Sequence, residues 1–188
     1  MCFRFICIFC IFLMFSCTRQ QAPKKKGYLR IDLPTSEYVL YDENALPFTF
    51  LKEKNSELTY KDNNFYLPIL KFPSLNAELY LTYHALENQK DLEDWQEFSR
   101  KLVYEHTQQA TAIDEKILNM PQKNGVFYHL KGNVASNFQF YLSDQKKHFL
   151  RGAFYFSNTP NADSLAPFIH RASEELQKFL DELAWKSK

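Results

Sequence analysis

Beyond residue 17 the chain has no cysteine; all four, Cys2, Cys7, Cys10 and Cys17, lie at its start. Disulfide stapling, thiol catalysis and cysteine-based metal sites are therefore excluded from the body of the protein. Glycine is as scarce, with four residues in 188. Neither a GxGxxG pattern nor a P-loop occurs, which argues against a phosphate-cradling loop. An excess of one charge is also missing. Lys plus Arg number 23 against 22 Asp plus Glu, so no global field draws the chain to nucleic acid. There is no HExxH and no other close pair of metal ligands. Neither a metal nor a cofactor is expected. The longest apolar run, Phe5 to Phe15, has eleven residues, well short of the roughly 20 that a membrane-spanning helix requires.

That short run is the first informative feature. Arg4 precedes it, and Ser16 and Cys17 follow. An early positive charge, a short apolar core and a small residue are the layout of a secretory leader. Met14-Phe15-Ser16-Cys17 resembles a bacterial lipobox, with Ser16 before the cut and Cys17 as the lipid acceptor. The sequence thus predicts a leader over residues 1–16, a lipidated Cys17 with its tether over 17–27, and a single α+β domain over 28–188. Each buried CH₂ of an acyl chain contributes about 0.8 kcal/mol, and anchoring becomes stable with more than one chain. The tether holds Arg19, Lys24, Lys25 and Lys26 and no acid. It reads as a solvated linker rather than a headgroup-binding segment.

The body is rich in aromatics, with 18 Phe and 11 Tyr, which suit strands. Strands are expected at residues 28–33, 38–41, 47–51, near 58–60, and at 78–83. Another, over 65–72, carries Pro68, which confines it to an edge or a bulge. The hydrophobic period then lengthens. Leu92, Trp95, Phe98, Leu102 and Val103 mark one helical face, with Asp91 as N-cap and an end near Gln109. Four β segments follow, at 112–118, 125–131, 137–142 and 148–156, and read as an antiparallel meander. Leu165, Phe168, Ile169, Ala172, Leu176, Phe179, Leu180 and Leu183 fall on one helical stripe. Asp163 or Ser164 caps that helix, Pro167 is tolerated in its first turn, and it ends near Trp185. The sum is an α+β fold, an antiparallel β-sheet covered by two main helices.

Little in the body points to catalysis. Five histidines are scattered, and Glu105 and His106 diverge on a helix. Ser136, His148 and Asp144 can be drawn as a triad, but no GxSxG elbow frames the serine. Hydrogen-bonded packing accounts for them more simply. The small polar run Gly132 to Asn137 is either a plain hairpin connection or a partner-contacting loop, with Asn133, Ser136 and Asn137 as its contact residues. Phe138 to Tyr141 is aromatic on both faces, which favours burial between layers over a docking patch. Three function classes remain: a non-enzymatic envelope assembly factor, a ligand- or glycan-binding module using exposed Tyr and Phe, and a hydrolase using Ser136 or His106.

Several blocks, taken in order, resemble one family. They are the leader with Cys17, Tyr28-Leu29-Arg30, Pro47-Phe48-Thr49-Phe50, Ala77 to Tyr83, Leu102 to Thr107, Gly132 to Tyr141, Lys147 to Phe156, and Pro160 to Ser164. Together they are similar to the gliding-motility lipoprotein GldD of Bacteroidetes. Two departures stand out. Leu46 occupies a position where the family often has a cysteine, and no cysteine occurs near Asn63-Asn64. Val134 and Asn137 also replace the Ala and Gln of the family loop. The resemblance implies a membrane lipoprotein of the gliding and type IX secretion machinery that supports partner envelope lipoproteins and has no known enzymatic activity. The balanced charge, for its part, gives no reason to expect a nucleic-acid partner. The tether lacks an acidic surface-export run, which implies lipid anchorage on the periplasmic face of the outer membrane. The element order is also similar to the PsbP/Mog1-like sandwich.

Overall fold

The computed structural model describes residues 33, 35–105 and 107–186. The expected leader, Cys17, the tether, most of the first expected strand and His106 lie outside these residues.

The chain begins its described course with β1 (Tyr38–Tyr41) and β2 (Phe48–Glu53), then β3 (Glu57–Tyr60), β4 (Pro68–Phe72) and β5 (Ala77–Ala85). Helix α1 (Gln89–Tyr104) follows, then the long strands β6 (Ala110–Met120), β7 (Lys123–Gly132), β8 (Ser136–Ser143) and β9 (His148–Phe156). Helix α2 (Ala162–Glu182) and the two-residue β10 (Ala184–Trp185) complete it. Seven strands form one antiparallel sheet in the order β3-β4-β5-β9-β8-β7-β6, and β1-β2-β10 form a second, smaller sheet.

The two helices cover opposite faces of the large sheet. On β8, Phe140 packs on Phe179 of α2 with ring centroids 5.9 Å apart. Its neighbour Tyr141 points the other way, as successive strand residues must, and stacks with Phe149, which lies under Trp95 of α1. The main core therefore lies between the large sheet, α2 and the small sheet, and is built on Phe48, Phe50, Phe138, Phe140, Phe154 and Phe179. A smaller cluster of Val103, Tyr128, Leu130 and Val134 seats the end of α1. β8 is buried along nearly its whole length, as its two-sided aromatic pattern predicts.

Several element ends differ from expectation. Helix α1 is capped by Asn88, whose side chain accepts from the Asp91 N–H; Asp91 lies inside the first turn. The helix stops at Tyr104, because residues 105–109 offer no apolar side chain to extend its buried stripe. Helix α2 is capped by Asn161, whose side chain accepts from the Ser164 N–H, so Asp163 and Ser164 are already helical. Pro167 lies in the second turn, where it removes one helical hydrogen bond without ending the helix. The helix closes at Glu182, and Ala184 and Trp185 pair with Thr49 and Phe48. Strand β4 is internal rather than an edge; Pro68 is tolerated because it opens the strand.

Candidate functional site

The loop singled out in the sequence, residues 132–137, joins β7 to β8. Gly132 adopts φ +103°, where a side chain would be strained. The Ser136 Oγ donates to the Phe138 carbonyl at 3.2 Å, and the Asn137 amide donates to the Leu130 carbonyl at 3.3 Å. Both residues are buried. A register shift between Ser136 and Phe138 leaves Asn137 in a bulge. Asn133 is exposed, and its Oδ1 accepts the Ala162 N–H at 2.9 Å, tying the loop to the start of α2. Of the three residues, only Asn133 presents its side chain to solvent.

The drawn triad is not brought together. Ser136 pairs with Tyr155 on β9, whereas His148 opens the same strand. At about 3.3 Å per residue they stand about 23 Å apart. His148 instead meets the Tyr83 hydroxyl through Nδ1 at 2.8 Å and stacks on Trp185. Asp144 accepts the backbone N–H groups of Lys146, Lys147 and His148. Burial pushes its carboxyl pKa up, but those three donors outweigh burial and hold it below the ordinary value. These are turn-holding contacts. His84 bonds to Asp91 at 3.1 Å, His129 stacks on Phe138, and His170 is exposed on α2 beside Glu174. Among the described residues no three His, Cys, Asp or Glu side chains converge as a metal site. Nor is any described helix long and apolar enough to cross a membrane.

The most distinctive polar feature lies on the α1 side of the large sheet. Helix α1 crosses that face on a diagonal. Trp95 near its start packs on His84 and Phe149, and Val103 near its end packs in the cluster of Tyr128 and Leu130. The corner it leaves uncovered is a groove of about 530 Å³ lined by Glu78, Tyr80, Arg151, Ala153 and Tyr155. Tyr80 and Tyr155 meet edge to face, centroids 5.6 Å apart. The Tyr80 hydroxyl donates to Glu78 at 2.6 Å, which raises its pKa, with burial adding to the shift. Arg151 donates through Nη2 to the Gln139 Oε1 at 2.6 Å. Burial lowers the guanidinium pKa and the nearby Tyr155 opposes that shift; an arginine nonetheless stays charged.

The sequence reading did not reach this groove. Its signal was Arg151 itself, a cation within the otherwise apolar and aromatic strand 148–156. Registry supplied the rest, because Tyr80, Ala153 and Gln139 lie side by side on three strands distant in sequence.

Comparison with known proteins gives a family and a distant structural likeness. The family model described as gliding motility lipoprotein GldD matches residues 18–185. No curated protein matches by sequence. Among solved structures, the chain is similar to the solution structure of cyanobacterial PsbP (CyanoP) from Synechocystis sp. PCC 6803. The identity is 10% and the TM-score 0.48, over 88% of this chain and 100% of that one.

Proposed function

The chain belongs to the gliding motility lipoprotein GldD family, and from that premise we propose that it is a lipid-anchored, non-catalytic assembly factor of the gliding and type IX secretion machinery. Membership itself carries a role in gliding motility and anchorage in the cell envelope. The finer reading is that Cys17 bears the lipid, that the body stands on the periplasmic face of the outer membrane, and that it stabilises partner envelope lipoproteins. The observation that carries this reading is the family match running from the residue after Cys17 almost to the end of the chain. Support for a non-catalytic role comes from the dispersal of Ser136, His148 and Asp144 to separate structural duties. Of the three expected contact residues of the 132–137 loop, Asn133 is the one exposed to a partner.

The test is a strain lacking the gene and complemented with wild type or Cys17→Ala. Colony spreading, export of type IX cargo and the levels of other envelope lipoproteins are followed together. We expect all three to fail in the deletion strain, and wild type but not Cys17→Ala to restore them. Normal spreading and export in the deletion strain would reject the assembly role. A second reading, a periplasmic ligand- or glycan-binding module, is favoured by one observation, the tyrosine-walled groove beside Arg151.

A further inference from the structure

The groove on the α1 face holds a cation that no anion of the described residues answers, Arg151, and a buried amide beside it, Gln139, lacks an acceptor. Among the described residues, the only hydrogen-bond partner of the Arg151 guanidinium is the neutral Gln139 Oε1. A partly buried guanidinium without a carboxylate is costly to keep dehydrated, because its remaining N–H groups forgo water without a compensating anion. The Gln139 amide lies beside it, outside the groove lining. Gln139 is 1% exposed and its Nε2 has no hydrogen-bond partner. Since Oε1 is engaged by Arg151, the amide nitrogen is oriented as a donor away from the guanidinium. Buried polar groups are nearly always satisfied in folded proteins, and an orphan of this kind calls for an explanation.

The surroundings define what would satisfy the guanidinium. Arg151 and Gln139 are diagonal neighbours on β9 and β8, on one face of the sheet. The free N–H groups of Arg151 want an anionic oxygen acceptor, and a carboxylate supplies two. Ala153 lies between Tyr80 and Gln139 in the sheet and is too small to fill the space above it. Tyr80 and Tyr155 bound that space with aromatic surface, and Tyr80 is 38% exposed. Aromatic walls beside hydrogen-bonding groups match an amphipathic ring that shows C–H on its faces and hydroxyls on its rim. Glu78 lies four residues before Thr82, the strand partner of Arg151, about 13 Å along β5. Its carboxylate, 3.9 Å from the Lys71 ammonium, already accepts the Tyr80 hydroxyl and has lone pairs for others. The groove thus has an anion-seeking end and a hydroxyl-accepting end.

We propose that this groove binds a saccharide carrying one carboxylate, with the carboxylate on Arg151, the sugar ring against Tyr80 and Tyr155, and hydroxyls toward Glu78. The inference rests on the ligand-binding reading and is independent of the motility role.

Calorimetric titration of the detergent-solubilised lipoprotein tests it directly. The probes are methyl glucuronide and methyl glucoside, which differ only in the carboxylate, with an acetylated dialanine peptide as a carboxylate without a sugar. The glucuronide should bind saturably, about tenfold or more tighter than the glucoside, as one charge-assisted contact implies. Arg151→Gln should reduce its binding to the level of the glucoside. Gln139→Glu provides a second, nearly isosteric variant; its own carboxylate occupies the guanidinium and should abolish glucuronide binding. Absence of glucuronide binding at millimolar sugar, equal binding of the two glycosides, or stronger binding of the peptide would each overturn the proposal. Because the readout uses purified protein, these results and the motility phenotype can fail separately.

Discussion

Gly152 shows how tightly the sheet face under α2 is packed. A Cβ built there would lie 2.3 Å from two carbons of the Phe140 ring, and Phe140 is itself held against Phe179. The ring has little room to yield, so Gly152→Ala should destabilise the protein by about 1–3 kcal/mol through overpacking. A urea titration checks it, and an unchanged midpoint would mean that Phe140 swings aside freely. His129 gives a prediction of a different kind. Burial, reinforced by Lys131, lowers its pKa below the ordinary 6.5, with Asp114 opposing. In the window between that lowered value and 6.5, the unfolded chain binds more protons than the folded one. Stability must therefore rise with pH across this window, and fall as the solution is acidified below about 6.5. His129→Gln should flatten this limb of a stability-versus-pH curve. An identical slope in the variant would assign the pH dependence to other groups.

At the scale of elements, the end of α2 depends on a residue from another strand. Lys123, 6% exposed at the start of β7, donates to the carbonyls of Leu180, Asp181 and Leu183 at 2.7, 2.6 and 2.6 Å. These are among the carbonyls that a helix C-terminus leaves without internal donors. Burial lowers the Lys123 pKa, while Asp181 and Glu182 oppose the shift. Lys123→Met keeps the aliphatic stem but strands the carbonyls, and should cost about 2–3 kcal/mol, measured by chemical denaturation. A loss below about 0.5 kcal/mol would mean that water replaces the ammonium. Such long-range contacts also mark where sequence reading stops. The stripe from Leu165 to Leu183 reveals α2 because burial repeats at the helical period. The caps are harder, because Asn161, Asp163 and Ser164 are all acceptable cap residues and only backbone geometry selects Asn161. Strand β10 is invisible in two residues, since its pairing with Phe48 and Thr49 is set by where α2 ends. The Arg151 groove is illegible for the same reason: one odd cation can be read from the sequence, but its neighbours are supplied by strand register.

At the scale of the whole molecule, the segment before β1 is clasped to the middle of α2. The Glu175 side chain is 2% exposed; it pairs with Arg171 Nε at 3.1 Å and accepts from the Ser36 Oγ at 2.6 Å. Arg171 also donates to Ser36. Ser36 lies near the start of the described chain, so the clasp fixes that start to the body. Its strength is a question of buried charge. The ion pair gains little over an apolar replacement, because both groups pay for desolvation, but removing one partner leaves the other uncompensated. Arg171→Met should therefore cost about 3 kcal/mol, toward the lower end for a broken buried pair, because the arginine remains 21% exposed. Adding Glu175→Gln to that variant should restore much of the loss by removing the stranded charge. Denaturation of the single and double variants forms the test. A double variant no more stable than Arg171→Met would mean that the clasp acts through packing of the arginine stem and not through charge.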